Sequence, residues 1–62
     1  MPLYYVEIEG GRCGIREAKN KQQAWADLRR AEGTNHAKGV RIATKDDIAW
    51  VKGMGGYIPE RR

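Results

Sequence analysis

The sequence predicts a small α+β domain whose elements follow the order β-β-α-β-α. Three observations support this class: an alternating apolar pattern near the first residue, two segments in which a capping residue precedes apolar residues at helical spacing, and glycines where these segments end. A right-handed crossover from the second strand through the first helix places the third strand beside the first. We therefore expect a three-stranded antiparallel sheet in the order 2-1-3, with two helices on one face.

The first two strands are predicted to form a hairpin. Residues 3–9 alternate between an apolar and a more polar set, and Val6 belongs to the apolar set that faces the core. With Gly10 and Gly11 as the two central residues of a tight turn, Val6 lies opposite Ile15. This register pairs apolar residues with one another on a single face of the hairpin.

The first helix is predicted over residues 21–32. Asn20 is a typical N-cap residue, and Gln23 stands three residues later, where it can close a capping box. Apolar residues then recur at helical spacing, and Gly33 supplies the C-terminal stop.

A third strand is predicted over residues 40–43, with Val40 and Ile42 facing the core. Thr44 then caps a second helix, in which Asp47 occupies the third position and completes a capping box. The acidic first turn of this helix favours the positive end of the helix dipole.

The stretch VKGMGGYIP, residues 51–59, is interpreted as a helix stop and not as a phosphate-binding loop. Gly53 falls where the second helix needs a residue with positive φ, and Gly55 and Gly56 let the chain reverse. A phosphate-binding loop needs a strand before its glycines and a helix after them. Here a predicted helix precedes the glycines and Pro59 follows them.

Size and composition indicate one folded domain over residues 1–62, with an ordered core at about 3–53 and a glycine-rich tail at 53–62. We expect no secretory signal, and the longest apolar run, residues 48–51, is too short to cross a membrane. Because the single cysteine, Cys13, cannot form an internal disulfide, we expect a cytoplasmic protein.

The segments REAKNKQQAW and GVRIATKDDIAWVKGMGG resemble short uncharacterised bacterial proteins, many of them encoded on phages and other mobile elements. These proteins pair an A-x-N-x-x-Q-A helix start with a later V-R-x-A-T-x-x-D stretch. The resemblance covers residues 16–56. It implies a fold and a genomic setting, and it transfers no activity or functional residue.

The residue types needed for catalysis or metal binding are scarce, so we expect no enzyme, no cofactor and no metal site. One cysteine and one histidine cannot supply the ligand set of a structural zinc site. Asp46 and Asp47 point about 100° apart on a helix and are better explained as dipole-capping residues. The remaining alternative is an RNase-like toxin in which His36 acts as general base, although such toxins place a helix before their strands.

The first functional hypothesis is a regulatory nucleic-acid-binding module. Twelve basic residues against eight acidic ones give a net charge of +4, a field that attracts nucleic acid or an acidic protein surface. The candidate phosphate-binding residues at one edge of the sheet are Arg29, Arg30, Lys38, Arg41 and Lys45.

The alternative hypothesis is a protein-interaction module, such as a phage-type modulator of a host protein. Its predicted binding patch consists of Leu3, Tyr5, Tyr57 and Ile58, whereas Trp25 and Trp50 are interpreted as core anchors. We expect a monomer or a weak homodimer, because the second strand is a predicted sheet edge with little protection at Cys13 and Gly14.

Overall fold

The computed structural model describes residues 1–59, which form three strands and two helices. The elements are β1 (Leu3–Ile8), β2 (Arg12–Glu17), α1 (Lys21–Glu32), β3 (Ala37–Ile42) and α2 (Lys45–Gly53). The strands form one antiparallel sheet in the order β2-β1-β3. The predicted α+β class, element order and sheet order are therefore confirmed. Residues 60–62, the end of the predicted glycine-rich tail, lie outside the described residues.

The β1–β2 hairpin has a register that differs by one residue from the predicted register. Val6 pairs with Gly14 and not with Ile15. The connecting loop holds three residues, 9–11, and its two glycines have positive φ values of 90° and 79°. The predicted two-residue turn was therefore wrong. A slip of one residue moves every side chain of a strand to the opposite face of the sheet.

The two helices pack on opposite faces of the sheet, so the prediction that both cover one face was wrong. On one face, α1 closes a core that comprises Tyr4, Val6, Ala18, Ala24, Leu28 and Val40. On the other face, Val51 of α2 packs with Leu3 and Ile15. The hairpin register explains the difference. The observed register places the Ile15 side chain on the same face as Leu3, and α2 buries this apolar surface.

The first helix has the predicted bounds, because its capping signals are local. The Asn20 side chain accepts a hydrogen bond from the Gln23 N–H at 2.8 Å. Gly33 ends the helix with a φ of 97°, and its N–H donates to the Arg29 carbonyl. The predicted capping box is not closed, because the Gln23 side chain donates to Asp27 at 2.9 Å.

The second helix begins at the predicted cap and ends two residues later than predicted. Thr44 and Asp47 form the reciprocal capping box. The helix continues through Gly53, and Gly55 is the residue with positive φ, at 81°. The Gly55 N–H donates to the Lys52 carbonyl and the Gly56 N–H donates to the Val51 carbonyl. These two bonds form a Schellman motif, so the glycine-rich stretch is a helix stop.

Three apolar residues that the sequence assigned to the core differ in exposure. Ile42 is 56% exposed and Trp50 is 61% exposed, so both predictions of burial were wrong. Trp25 is half-buried and packs against the core under α1. Ile42 is the last residue of β3, which is an edge strand of the sheet.

Candidate functional site: the open edge of β2

The outer edge of β2 carries backbone groups that have no partner in the sheet. The Ala18 N–H donates to the Pro2 carbonyl at 3.2 Å, which identifies the even-numbered residues of β2 as those that bond to β1. The N–H and C=O groups of Cys13, Ile15 and Glu17 therefore point away from β1. Among residues 1–59, no backbone group bonds to them from outside. This edge is a template for a further strand.

We expect the amide hydrogens of β2 to exchange with solvent in an alternating pattern. Gly14 and Arg16 donate to β1 and should exchange slowly, whereas Cys13, Ile15 and Glu17 should exchange rapidly. Hydrogen exchange followed by NMR measures all five amides in one experiment. Uniform protection along the strand would contradict the open edge.

An open groove of about 500 Å³ runs along this edge. Val6 and Ile8 contribute to it from the face that α1 covers, and Ile15 and Val51 contribute from the face that α2 covers. Tyr57, which follows the Schellman motif, lines the groove while 80% of its surface is exposed. Exposed backbone hydrogen-bonding groups therefore lie beside apolar surface.

At the centre of β2 no side chain covers the backbone, because residue 14 is a glycine. Its φ is not in the left-handed region, and a Cβ built there meets Val6 Cγ2 at 3.7 Å, an ordinary contact. The fold therefore does not require glycine at this position for conformational reasons. Its absent side chain leaves the backbone of Gly14 open to the groove, while Val6 beneath it stays buried at 1% exposure.

Two arginines flank Gly14 on the same face of β2. Arg12 forms an ion pair with Glu32 at 3.0 Å, which joins the hairpin to the end of α1. Arg16 is half-buried and lines the groove. Glu17 also lines the groove and points to the other face, at the far end of the strand. The charged side chains that line the groove are thus Arg16 on one face of β2 and Glu17 on the other.

A separate polar network fixes α2 against the sheet. The Arg41 guanidinium donates two hydrogen bonds to the Asp47 carboxylate, one of them at 2.7 Å, and stacks 4.4 Å from the Tyr5 ring centroid. Asp47 also accepts a hydrogen bond from the Thr44 N–H at 2.9 Å. The hydrogen bonds from Arg41 and from Thr44 lower the pKa of the Asp47 carboxyl. The hydrogen bonds of Asp47 are made to Arg41 and Thr44 of the same chain, so we infer that the network stabilises the fold.

Acidification is expected to destabilise the fold through Asp47. Because its pKa is lower in the folded state than its ordinary value of 3.8, the unfolded chain binds more protons there. The stabilisation is complete above the unfolded-state pKa and is lost as the pH falls through the folded-state pKa. We expect Asp47→Asn to be less stable at neutral pH and to show a weaker loss of stability on acidification. Thermal unfolding at a series of acidic pH values measures both effects.

The matched control for this experiment is Asp46→Asn. Asp46 lies in the same helical turn but is exposed, and within residues 1–59 it forms no hydrogen bond or ion pair through its side chain. This variant should keep most of the pH dependence. An equally weakened pH dependence of stability in both variants would show that the ion pair between Arg41 and Asp47 does not cause it.

The five predicted phosphate-binding residues do not all lie on one side of the sheet. Arg29 and Arg30 belong to α1, and Arg41 lies on the opposite face with α2. Three of the five make contacts within the fold: Arg29 stacks 5.0 Å from the Trp25 ring centroid, Arg30 lies 3.5 Å from Asp27, and Arg41 pairs with Asp47. Lys38 and Lys45 are exposed. Nucleic-acid binding stays a prediction.

Only part of the predicted protein-binding patch is on the surface. Leu3 is 7% exposed and belongs to the core under α2, and Tyr5 and Ile58 are half-buried against the same core. Tyr57 is the exposed member, and it lines the β2 groove. The sequence also predicts the β2 edge of this site, because it indicates an edge strand with little protection at Gly14. It does not link Tyr57 to that edge.

His36 connects two loops. Its Nδ1 lies 2.9 Å from Glu9 Oε2, and its carbonyl accepts a hydrogen bond from the Glu9 N–H at 2.8 Å. These contacts hold the β1–β2 loop against the connection between α1 and β3. His36 does not line the β2 groove. The alternative of an RNase-like toxin that depends on His36 stays a hypothesis.

Residues 1–59 contain neither a helix that could span a membrane nor a cluster of potential metal ligands. Neither helix in this range has the length and apolar character needed to cross a membrane. The same residues contain no group of three or more His, Cys, Asp or Glu side chains placed to hold a metal ion. Cys13 is a half-buried free thiol.

Comparisons of the chain with protein-family models, with curated proteins and with solved structures find no match. The relation to short proteins of phages and mobile elements stays a prediction. A function for this chain therefore has to be inferred from the β2 groove and the surfaces around it.

Proposed function

We propose that this chain is a protein-interaction module that binds an extended segment of a partner protein along the open edge of β2. The observation that carries the proposal is the row of outward backbone groups at Cys13, Ile15 and Glu17, bordered by the apolar groove. An extended segment can add a strand to such an edge, with main-chain hydrogen bonds for affinity and side-chain pockets for specificity.

The two edges of the sheet differ in a way that favours β2. The pairing of β3 with β1 contains an irregularity between Glu7 and Ile8, and the exposed Lys38 lies beside it. Irregular pairing and lysine side chains are common protections of an edge strand. The pairing of β2 is regular over its whole length, and Gly14 stands at its centre. Strand addition therefore meets fewer obstacles at β2.

Tyr57 is the residue most suited to anchor a partner. It is 80% exposed, and its aromatic ring combines a large apolar area with a polar hydroxyl. Tyrosine is enriched among residues that dominate binding energy at protein interfaces. Its position on the rim of the groove places it beside any strand added to β2.

The proposal is tested by selecting linear peptides from a display library against the immobilised protein. A selected peptide is then titrated into isotope-labelled protein and followed by NMR. We expect shifts at residues 12–17 and at Tyr57, together with new exchange protection of the Cys13, Ile15 and Glu17 amides. Peptides that shift only residues outside this edge, or a selection that yields no binding peptide, would overturn the proposal.

The matched variant is Tyr57→Ala, which should fold normally because the side chain is exposed. We expect it to weaken binding of the selected peptide by about tenfold or more, the effect of losing one anchor residue. A parallel titration uses single-stranded RNA and duplex DNA at low and near-physiological salt. Shifts at Arg29, Arg30 and Lys38 that persist at the higher salt would support the nucleic-acid hypothesis instead.

A further inference from the structure

We infer that the segment bound by β2 is acidic: it places carboxylate side chains opposite Arg12 and Arg16 and a large apolar side chain opposite Gly14. This inference rests on the proposed function, since it names the chemistry of the strand that the edge accepts. It follows from the alternation of β2 and from the shape of the groove.

The side chains of β2 that flank Gly14 are basic. Arg12, Gly14 and Arg16 are alternate residues of β2, so their side-chain positions lie on the same face. An added strand presents its own alternate residues directly opposite them, and opposite charges in such cross-strand pairs are stabilising. Arg12 already has Glu32 as a partner, whereas Arg16 lines the open groove. Arg16 is therefore the main contact for an acidic side chain.

Gly14 leaves a gap between the side chains of Arg12 and Arg16. Gly14 has no side chain, and Val6 and Ile8 of the neighbouring strand line the groove beside it. A large apolar side chain on the added strand can lie across the bare backbone of Gly14, beside the half-buried Ile8. Covering a strand glycine with a bulky cross-strand side chain is a known way to stabilise a sheet edge.

The opposite face of β2 determines the remaining side chains of the bound segment. There the added strand meets Cys13 and Ile15, with Val51 and Tyr57 close by, and then Glu17 at the end. Apolar side chains fit the first two positions, and a third carboxylate opposite Glu17 is disfavoured. The segment therefore has acidic, large apolar and acidic residues on one face and apolar residues on the other.

A second copy of this chain fits the edge less well. When two β2 strands pair antiparallel around a twofold axis, the same face of each sheet continues into the other. Arg12 and Arg16 of both copies then share one face of the joined strands. Like charges in directly opposed or diagonal cross-strand positions are destabilising. An acidic partner strand removes this repulsion.

The test compares three synthetic peptides with the same alternating apolar residues. The peptides carry glutamate, glutamine or lysine at the two positions that face the arginines. We expect the glutamate peptide to bind at least tenfold more tightly than the lysine peptide, with the same β2 amides protected in each complex. The Arg16→Glu variant should bind the lysine peptide more tightly than the glutamate peptide, because it replaces a positive charge in the groove with a negative one. Arg16 has no ion-pair partner within residues 1–59, so the variant should fold.

The steric part is tested with Gly14→Val. We expect this variant to bind the glutamate peptide at least tenfold more weakly, because the new side chain fills the space over Gly14 that the apolar side chain of the peptide would occupy. The control is Gly39→Ala on β3, where the nearest atoms to the added Cβ are those of Glu7 at 3.8 Å or more. Equal binding by the Gly14→Val variant and the unmodified protein would overturn the apolar position of the inference.

The outcomes separate the inference from the proposed function. Equal affinity of the three peptides, with Cys13, Ile15 and Glu17 protected in each complex, would overturn the acidic chemistry and leave strand addition intact. Failure of every peptide to protect these amides would overturn both. Displacement of the glutamate peptide by a single-stranded RNA at near-physiological salt would overturn the acidic strand in favour of nucleic acid.

Discussion

Replacement of Leu3 by alanine is expected to destabilise the fold by about 2–5 kcal/mol, the usual effect of truncating a buried leucine. Leu3 is 7% exposed and packs with Ile15 and Val51 under α2. Domains of this size have little stability to lose, so we expect a substantial unfolded fraction without denaturant. Urea unfolding followed by circular dichroism measures the change in the free energy of unfolding.

The effect of Leu3→Ala separates two descriptions of this residue. The sequence predicts that Leu3 and Tyr57 belong to one exposed patch. If that were so, the Leu3→Ala and Tyr57→Ala variants would have similar stability. The structure buries Leu3 and leaves Tyr57 exposed. Tyr57→Ala should therefore change the free energy of unfolding by no more than about 0.5 kcal/mol. A Leu3→Ala variant as stable as Tyr57→Ala would mean that α2 does not cover this face of the sheet.

The features that the sequence predicted well are those determined by neighbouring residues. The cap at Asn20, the stop at Gly33 and the capping box of Thr44 and Asp47 each depend on a few consecutive positions. Such signals require no knowledge of the rest of the fold. The bounds of α1 and the start of α2 were therefore predictable.

The faces of the sheet were not predictable, because they depend on one residue in a loop. Two consecutive glycines suit a two-residue turn, and they also suit the observed three-residue loop over 9–11. The choice between these loops decides whether Ile15 joins Val6 or the opposite face. Both registers bury Ile15, so the apolar pattern of the strands did not distinguish them. In the observed register Ile15 lies on the face that α2 buries.

The candidate site was predictable in parts and not as a whole. Edge position and weak protection at Gly14 follow from the topology, and Tyr57 was a predicted binding residue. The groove, however, joins β1, β2 and the segment after α2, which are far apart in the chain. Its shape depends on where the Schellman motif turns the chain after Val51. The sequence predicts a chain reversal at Gly55 and Gly56, but it does not indicate which edge of the sheet the residues after the reversal reach.

The position of this helix stop is tested by replacing Gly56 with alanine, which we expect to destabilise the fold by about 1–3 kcal/mol, the range for overpacking a well-packed site. A Cβ at Gly56 would lie 2.6 Å from Val51 Cγ1 and 3.1 Å from the Val51 carbonyl oxygen. Valine has a stiff side chain, and Val51 is buried in the core under α2. Relief of the clash therefore requires movement of the backbone that forms the Schellman motif. Thermal unfolding measures the loss of stability.

Gly53→Ala is the matched control, and it should have the opposite sign. Gly53 lies inside α2, its φ is not in the left-handed region, and a Cβ there meets no atom within 4 Å. Alanine is favoured over glycine in a helix by about 0.5–1 kcal/mol, so this variant should be more stable than the unmodified protein. If Gly53 were the C-terminal stop with positive φ, alanine would be destabilising there. Opposite signs at Gly53 and Gly56 therefore establish which glycines end the helix, and with them the turn that carries Tyr57 to the β2 groove.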